Sequence, residues 1–345
     1  MNIGIIGATG YGGVELYRIL ANHRYVENIH LYTSSAEKKS YIDEYPHLSH
    51  IKENELKPLE PDQIKEENDV VFLATPSGIS ASLTPELLDD QLKIIDLSGD
   101  LRLKNSDDYE KWYKKAPAPE KLLQEAVYGL TELYREDIKN AKILANPGCY
   151  PTATLLGLAP LVREKIVKEN SIIVDAKSGV SGAGRNASLA TSFVEIQDNF
   201  KIYKVHQHQH IPEIEQELHK WDEKVGFISF STHLVPMTRG IMATMYIELL
   251  EEWNTSKLVD LYESFYKHSP FVRVRTNGTF PSTKEVYGSN YCDIGLAFDQ
   301  RTSRLTVVSV IDNLMKGAAG QAVQNFNIMS GFQENEGLNF LPVYP

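Results

Sequence analysis

The chain has 345 residues, 42% of them hydrophobic and 23% charged, which suffices for two domains with substantial cores. A formal net charge of −11 argues against nucleic acid or an anionic membrane as the main partner, and no apolar run is long enough to span a bilayer. With only two cysteines, Cys149 and Cys292, there is no disulfide framework, and residue 2 already enters a strand without a basic leader, so a cytoplasmic protein is expected.

Residues 2–6 are short and rich in isoleucine, as in a strand buried on both faces of a parallel sheet. Gly7, Ala8, Thr9, Gly10, Tyr11, Gly12 and Gly13 follow, and an amphipathic helix begins by Val14. A strand, a glycine-rich turn and a helix make a dinucleotide site: glycines admit a pyrophosphate to the backbone, and the helix N-terminus offers N–H groups. The spacing Gly7-x-x-Gly10-x-x-Gly13 departs from the standard G-x-G-x-x-G, and a plain βα loop is the competing reading. The second strand, 29–32, runs into Thr33, Ser34 and Ser35, with Lys38 and Lys39 beyond. An NAD site carries a carboxylate there; hydroxyls and cations suit a 2′-phosphate, so NADP(H) is favoured. Residues 69–76 and 93–97 read as further buried strands, the latter leading to Arg102, a candidate anion clamp just beyond a strand end. Residues 107–124 read as a charged surface excursion.

The central stretch is 146–152. Asn146, Pro147 and Gly148 make a tight turn between a strand ending at Ala145 and a helix, which sets Cys149 at a helix N-terminus, with Pro151 in the first turn. A lone cysteine is most often a small inert hydrophobe; at a helix N-terminus, orphan N–H groups and the helix dipole favour the thiolate. Cys292 lies inside a predicted strand and reads as structural.

Beyond Cys149 the spacing predicts strands at 171–176, 200–205, 227–234, 241–247, 292–298 and 305–311, with 227–234 pairing 241–247 and the last two forming a hairpin. Helices are expected from Pro212 to about His219, over 256–267 and over 316–329. A small-residue loop, 177–185, contains Ser181, Gly182 and Arg185. His206, His208 and His210 alternate, and in an extended segment all three share one face. Three readings compete: a zinc site, for which no further ligand is declared; one imidazole serving Cys149 as acid/base, oriented by Glu213; or polar residues at a strand end.

In this order the motifs resemble the N-acetyl-gamma-glutamyl-phosphate reductase family. The resemblance is carried by residues 7–13, 96–103, 146–152, 178–185, 208–214, 233–240 and 313–322. It implies a Rossmann-type NADP-binding domain (1–148 and 313–345) and an α+β catalytic and dimerisation domain (149–312) with a mixed, largely antiparallel sheet. It further implies NADPH-dependent reduction of an acyl phosphate to an aldehyde with release of inorganic phosphate, by a homodimer or homotetramer. Cys149 then maps to the nucleophile and His210 to the acid/base, with Glu213 behind it. Cofactor contacts are expected from Gly7, Thr9, Gly10, Tyr11, Gly12, Gly13, Ser34, Ser35, Gly182 and Asn313. Substrate contacts are expected from Arg102, Ser181, His208 and Arg239, and no metal is expected. Gln209 stands where the family often has Arg. Aspartate-semialdehyde dehydrogenase is the nearest rival enzyme; a non-catalytic dinucleotide sensor and a metal-dependent hydrolase are rivals from other classes.

Overall fold

The structure is a computed structural model describing residues 1–34, 40–51, 54–276 and 278–344. The chain forms two compact units: Met1–Pro147 with Ala318–Leu338, and Gly148–Gly317 with the tail from Asn339.

The first unit holds strands β1 (Asn2–Ile6), β2 (Asn28–Thr33), β3 (Leu56–Pro58), β4 (Val70–Leu73), β5 (Lys93–Asp96), β6 (Val127–Tyr128) and β7 (Ile143–Ala145). They form one sheet, in the order β3-β2-β1-β4-β5-β7-β6, with every pairing parallel. The order reverses between β1 and β4, and ligands of such sheets bind at strand C-terminal ends beside that switch. The strands read as apolar runs because both faces are covered: Ile3, Ile5 and all of β4 are buried. Helices α1 (Tyr11–Leu20), α2 (Tyr41–Glu44), α3 (Pro61–Glu67), α4 (Ile79–Leu87), α5 (Ser106–Tyr113), α6 (Glu120–Glu125) and α7 (Thr131–Lys139) belong to this unit.

Residues 107–124 are more than a surface excursion. They carry α5, capped by the Asn105 side chain, and α6, whose Leu122 and Leu123 pack with Leu101, Ile143 and Ala145. The charged residues that dominate this stretch mask a thin apolar face.

The second unit contains α8 (Cys149–Arg163), α9 (Phe193–Ile196), α10 (Ile211–Trp221) and α11 (Thr255–Phe265). Its strands are β8 (Ile173–Ser178), β9 (Lys201–Tyr203), β10 (Ser229–Leu234), β11 (Ile241–Glu248), β12 (Val272–Val274), β13 (Cys292–Asp299) and β14 (Arg304–Ile311). Their order is β12-β13-β14-β11-β8-β10-β9; among the described residues β12–β13 and β8–β10 are its parallel pairs. The sheet is therefore mixed and largely antiparallel, and β13–β14 is the expected hairpin. The expected pairing of β10 with β11 is not found: β8 lies between them, parallel to β10 and antiparallel to β11. Cys292 is buried in β13, its Sγ 3.3 Å from Ser309 Oγ.

The last crossing falls five residues later than the expected boundary at 313. Residues 313–317 belong to the second unit, held there by side chains of Asp312 and Asn313, and the tail returns to it through Val343 N–H on Tyr287 O. A π-helical turn, Met315–Ala319, then leads into the return helix Gly320–Met329, whose Phe326 meets Phe72 of β4 at 5.9 Å.

Candidate functional site

Cys149 is the first residue of α8, after a glycine N-cap that offers no side chain to the helix end. Residues Tyr150 to Val162 are buried nearly without a break, packed against α10, β11 and β14, so the helix cannot rotate or slide. Cys149 itself is half-buried.

Glu213 lies on the first turn of α10 and is fully buried. Its Oε1 accepts the Gly148 amide at 2.8 Å, and its Oε2 lies 2.8 Å from His210 Nδ1. One carboxylate thus satisfies an orphan donor at the cysteine's helix end and selects the His210 tautomer, leaving Nε2 as the nitrogen turned from the carboxylate. His208 stacks on His210, with ring centroids 4.9 Å apart, and its Nδ1 accepts the His210 amide. Burial first, then the neighbouring His210 and Lys204, push the His208 imidazole down to about 2, so it stays neutral. Tyr150 completes the wall: its hydroxyl is 3.0 Å from that of Tyr203, and burial raises its pKa.

The three histidines do not share a face. The strand stops at Tyr203, Lys204 and His206 take left-handed backbone angles, and His206 is exposed while His208 and His210 are buried. Among the described residues no group of three or more His, Cys, Asp or Glu side chains is placed to hold a metal.

A second network surrounds the crossing segment. Asn313 Oδ1 accepts the Gly240 amide at 2.8 Å and its Nδ2 donates to Ser181 Oγ at 3.0 Å, so both ends of this amide brace loops of its own unit. Asp312 accepts the amides of Gly288, Leu314 and Met315, and its Oδ2 lies 3.7 Å from Arg239 Nη1. Gly182 sits in a 3-10 turn beside this network, where an added Cβ would lie 3.1 Å from Ser178 Oγ. Gly317 presses on the cysteine: a Cβ there would lie 2.8 Å from Cys149 Cβ and 3.2 Å from its Cα. The glycine was visible in the sequence; its contact, across more than 160 positions of chain, was not.

In the first unit the glycine-rich turn fits a dinucleotide pyrophosphate. Gly7 has φ +83, where an added Cβ would come within 2.4 Å of Ala74 O, and a Cβ on Gly13 would come within 2.4 Å of Gly7 O. Gly10 is the N-cap of α1 and brings no capping side chain, so the first amides of α1 at Tyr11, Gly12 and Gly13 keep their orientation toward an anion. Ser34 follows β2 and is exposed; Ser35, Lys38 and Lys39 lie outside the described residues. Arg102 is buried, donating from Nε to Asn146 O at 2.7 Å and from Nη2 to Leu97 O at 2.9 Å. Asn146 is itself anchored by Asn325 Nδ2, 3.0 Å from its Oδ1, a return-helix contact with no sequence signal.

Two family models match: "Semialdehyde dehydrogenase, NAD binding domain" over residues 2–141 and "Semialdehyde dehydrogenase, dimerisation domain" over residues 149–313. The N-acetyl-gamma-glutamyl-phosphate reductase of Bacillus subtilis (strain 168) is 59% identical over 345 residues, and that of Geobacillus stearothermophilus 58%, each covering all of both chains. Among solved structures, aspartate semialdehyde dehydrogenase II from Vibrio cholerae, complexed with ASA, aligns with TM-score 0.73 at 18% identity, over 96% of this chain and 98% of that one. Aspartate semialdehyde dehydrogenase with NADP from Candida albicans aligns with TM-score 0.68 at 17% identity, over 95% and 98%. At these identities the two structures establish the fold.

Two outcomes follow from this geometry. Gly317→Ala forces Cys149 or the π-turn to shift, at a cost of about 1–3 kcal/mol in denaturant unfolding, and slows alkylation of Cys149 by iodoacetamide. For His208, the folded value of about 2 lies below the ordinary 6.5, so below pH 6.5 only the unfolded chain gains this proton. That contribution is complete above pH 6.5 and is lost as pH falls toward 2, at up to ~1.4 kcal/mol per pH unit. His208→Asn flattens the fall in unfolding free energy between pH 6.5 and 5, measured against the parent chain.

Proposed function

Since the chain belongs to the N-acetyl-gamma-glutamyl-phosphate reductase family, we propose that it reduces N-acetyl-γ-glutamyl phosphate to N-acetylglutamate 5-semialdehyde with NADPH, releasing inorganic phosphate, in arginine biosynthesis. The observation that carries the mechanism is the Glu213 carboxylate joining the N-cap amide before Cys149 to the ring of His210.

Cys149 is the nucleophile and His210 takes its proton through Nε2. A carboxylate so near the helix end opposes a bare thiolate; the imidazolium formed on His210 cancels that charge, so thiolate and imidazolium form together. The sulfur attacks the acyl carbon, the bond from that carbon to the phosphate oxygen breaks, and a thioester remains on Cys149. NADPH, when bound, supplies the hydride that takes the acyl carbon to the aldehyde level. The thiohemiacetal oxyanion on Cys149 then expels the thiolate and frees the aldehyde, while His210 governs the proton balance. Glu213 holds the ring with Nε2 toward this chemistry. His208, neutral and stacked, adds no competing cation.

The dinucleotide is assigned to Gly7, Thr9, Gly10, Tyr11, Gly12 and Gly13, with Ser34 and Ser35 toward the 2′-phosphate and Gly182 and Asn313 toward the nicotinamide. Arg239, half-buried and facing Asp312, is assigned to a substrate carboxylate, with Ser181 and His208 lining the acyl chain. Arg102, buried just beyond the end of β5, is assigned to the leaving phosphate. The match of residues 149–313 to a dimerisation domain supports a homodimer or homotetramer, and two cysteines that are not joined in a disulfide fit a cytoplasmic enzyme.

The deciding assay runs backwards: phosphate-dependent reduction of NADP⁺ with N-acetylglutamate semialdehyde, beside aspartate semialdehyde as the competing substrate. The parent chain prefers the acetylated substrate and NADP⁺ over NAD⁺, and Cys149→Ser abolishes turnover. Glu213→Gln lowers kcat by roughly 10²-fold with a smaller effect on KM. Retained turnover in the Ser variant, or preference for aspartate semialdehyde, overturns the assignment.

A further inference from the structure

The glycine-rich turn is gripped from behind by two phenols, one from the first residue of α2 and one from the residue that caps its C-terminal end. Tyr41 Oη donates to Ala8 O at 3.0 Å; Tyr45 Oη donates to Thr9 O at 2.9 Å and lies 3.4 Å from Gly10 O. Three successive carbonyls of the turn thus face tyrosine hydroxyls, and both side chains are buried, Tyr41 completely. Their rings form a continuous edge-to-face chain: Tyr17 of α1 meets Tyr41 at 5.3 Å, and Tyr41 meets Tyr45 at 5.2 Å. Tyr41 is also fixed through its backbone, its amide donating to Asn54 O at 2.9 Å.

We propose that Tyr41 and Tyr45 are positioning residues for dinucleotide binding: by holding the carbonyls of Ala8, Thr9 and Gly10, they keep the amides of the turn aimed at the pyrophosphate.

The reason lies in the planar trans peptide. Its N–H points opposite to its C=O, so a carbonyl drawn toward α2 turns the following amide away from α2. Ala8 O held by Tyr41 turns the Thr9 amide outward; Gly10 O held near Tyr45 turns the Tyr11 amide outward. The Gly10 amide is already used within the turn, on Gly7 O at 3.1 Å. Glycines make this turn compliant, and a compliant turn can swing a carbonyl toward the anion, where its lone pairs repel phosphate. A buried phenol needs an acceptor for its hydroxyl, and here the acceptors are the carbonyls that must not swing. The clamp therefore removes an ordering cost that the dinucleotide would otherwise meet on binding.

This inference rests on the proposed function, and its test separates the two. Full-length parent protein, Tyr41→Phe, Tyr45→Phe, the double variant and Tyr17→Phe are titrated with NADPH, followed by nicotinamide fluorescence, and with adenosine 2′-monophosphate, which lacks the pyrophosphate. Each single variant at 41 or 45 raises the Kd for NADPH about three- to tenfold, one hydrogen bond's worth, and the double variant raises it further. Their affinity for the monophosphate stays within twofold, as does the alkylation rate of Cys149. Tyr17→Phe loses a hydroxyl that bonds Asn54 rather than the turn, and it binds NADPH normally. An unchanged Kd in the double variant overturns the inference, as does an equal loss toward the monophosphate, which marks general loosening. A parent protein that binds no NADPH overturns the functional reading and the inference with it.

Discussion

A single buried carboxylate sets the geometry of the proposed centre. An ionised glutamate taken out of water is very costly unless its oxygens find donors. Donors to Glu213 include, one on each oxygen, the amide that opens α8 and the ring nitrogen of His210. These bonds tie together two helices remote in sequence. Cys149 is the next residue after one donor, and His210 is the other. The separation of thiol and imidazole therefore does not depend on either side chain's own packing. It is inherited from the buried carboxylate that joins the two segments.

Local signals were legible in the chain. The β1 strand, the turn after it, the proline-marked start of α10 and the helix opening at Cys149 each depend on a handful of consecutive residues, and each stands where the pattern put it. The histidine run lacks a shared face for an equally local reason. Alternation implies a common face only in extended backbone, and Lys204 and His206 break it with left-handed angles. Other features were beyond reach because they are not local. Nothing between residues 227 and 247 indicates that β8, drawn from 173–178, separates two strands that look like neighbours. Strands of two or three residues, such as β3, β6 and β12, carry too little pattern to announce themselves. The crossing was expected at 313, where the family's last segment returns to the dinucleotide domain, whereas the Asn313 amide braces Gly240 and Ser181 and keeps residues 313–317 in the second unit.

Glycine also has two distinct uses in this chain, which sequence alone does not separate. At Gly7 the backbone is left-handed and an ordinary side chain would strike Ala74 O. Gly317 has no such angle; what it supplies is absence, since any Cβ would occupy the space of Cys149. The crossing segment can come this close because Asp312 and Asn313 hold it from four directions: the amides of Leu314 and Met315, the Gly288 turn, the Gly240 turn and the Ser181 loop. A tight contact of this kind transmits displacement, whereas a loose one absorbs it.

Arg102 shows how burial decides between the two readings its sequence position allows, an anion clamp and a structural residue. A net charge of −11 requires local cations wherever an anionic substrate is bound, and Arg102 stands just past a strand end where ligands gather. Yet two of its donors hold the carbonyls of Leu97, after β5, and Asn146, after β7, closing the gap between those strand ends. A guanidinium held this way is a strut before it is a clamp. Its charge remains, but its position is set by the sheet. A lysine, with no planar fork, could bring the charge but not bridge the carbonyls. The strut and the proposed anion site therefore favour the same side chain for different reasons. Loss of Arg102 would disturb Asn146, and through it the turn before Cys149, even in the absence of any substrate.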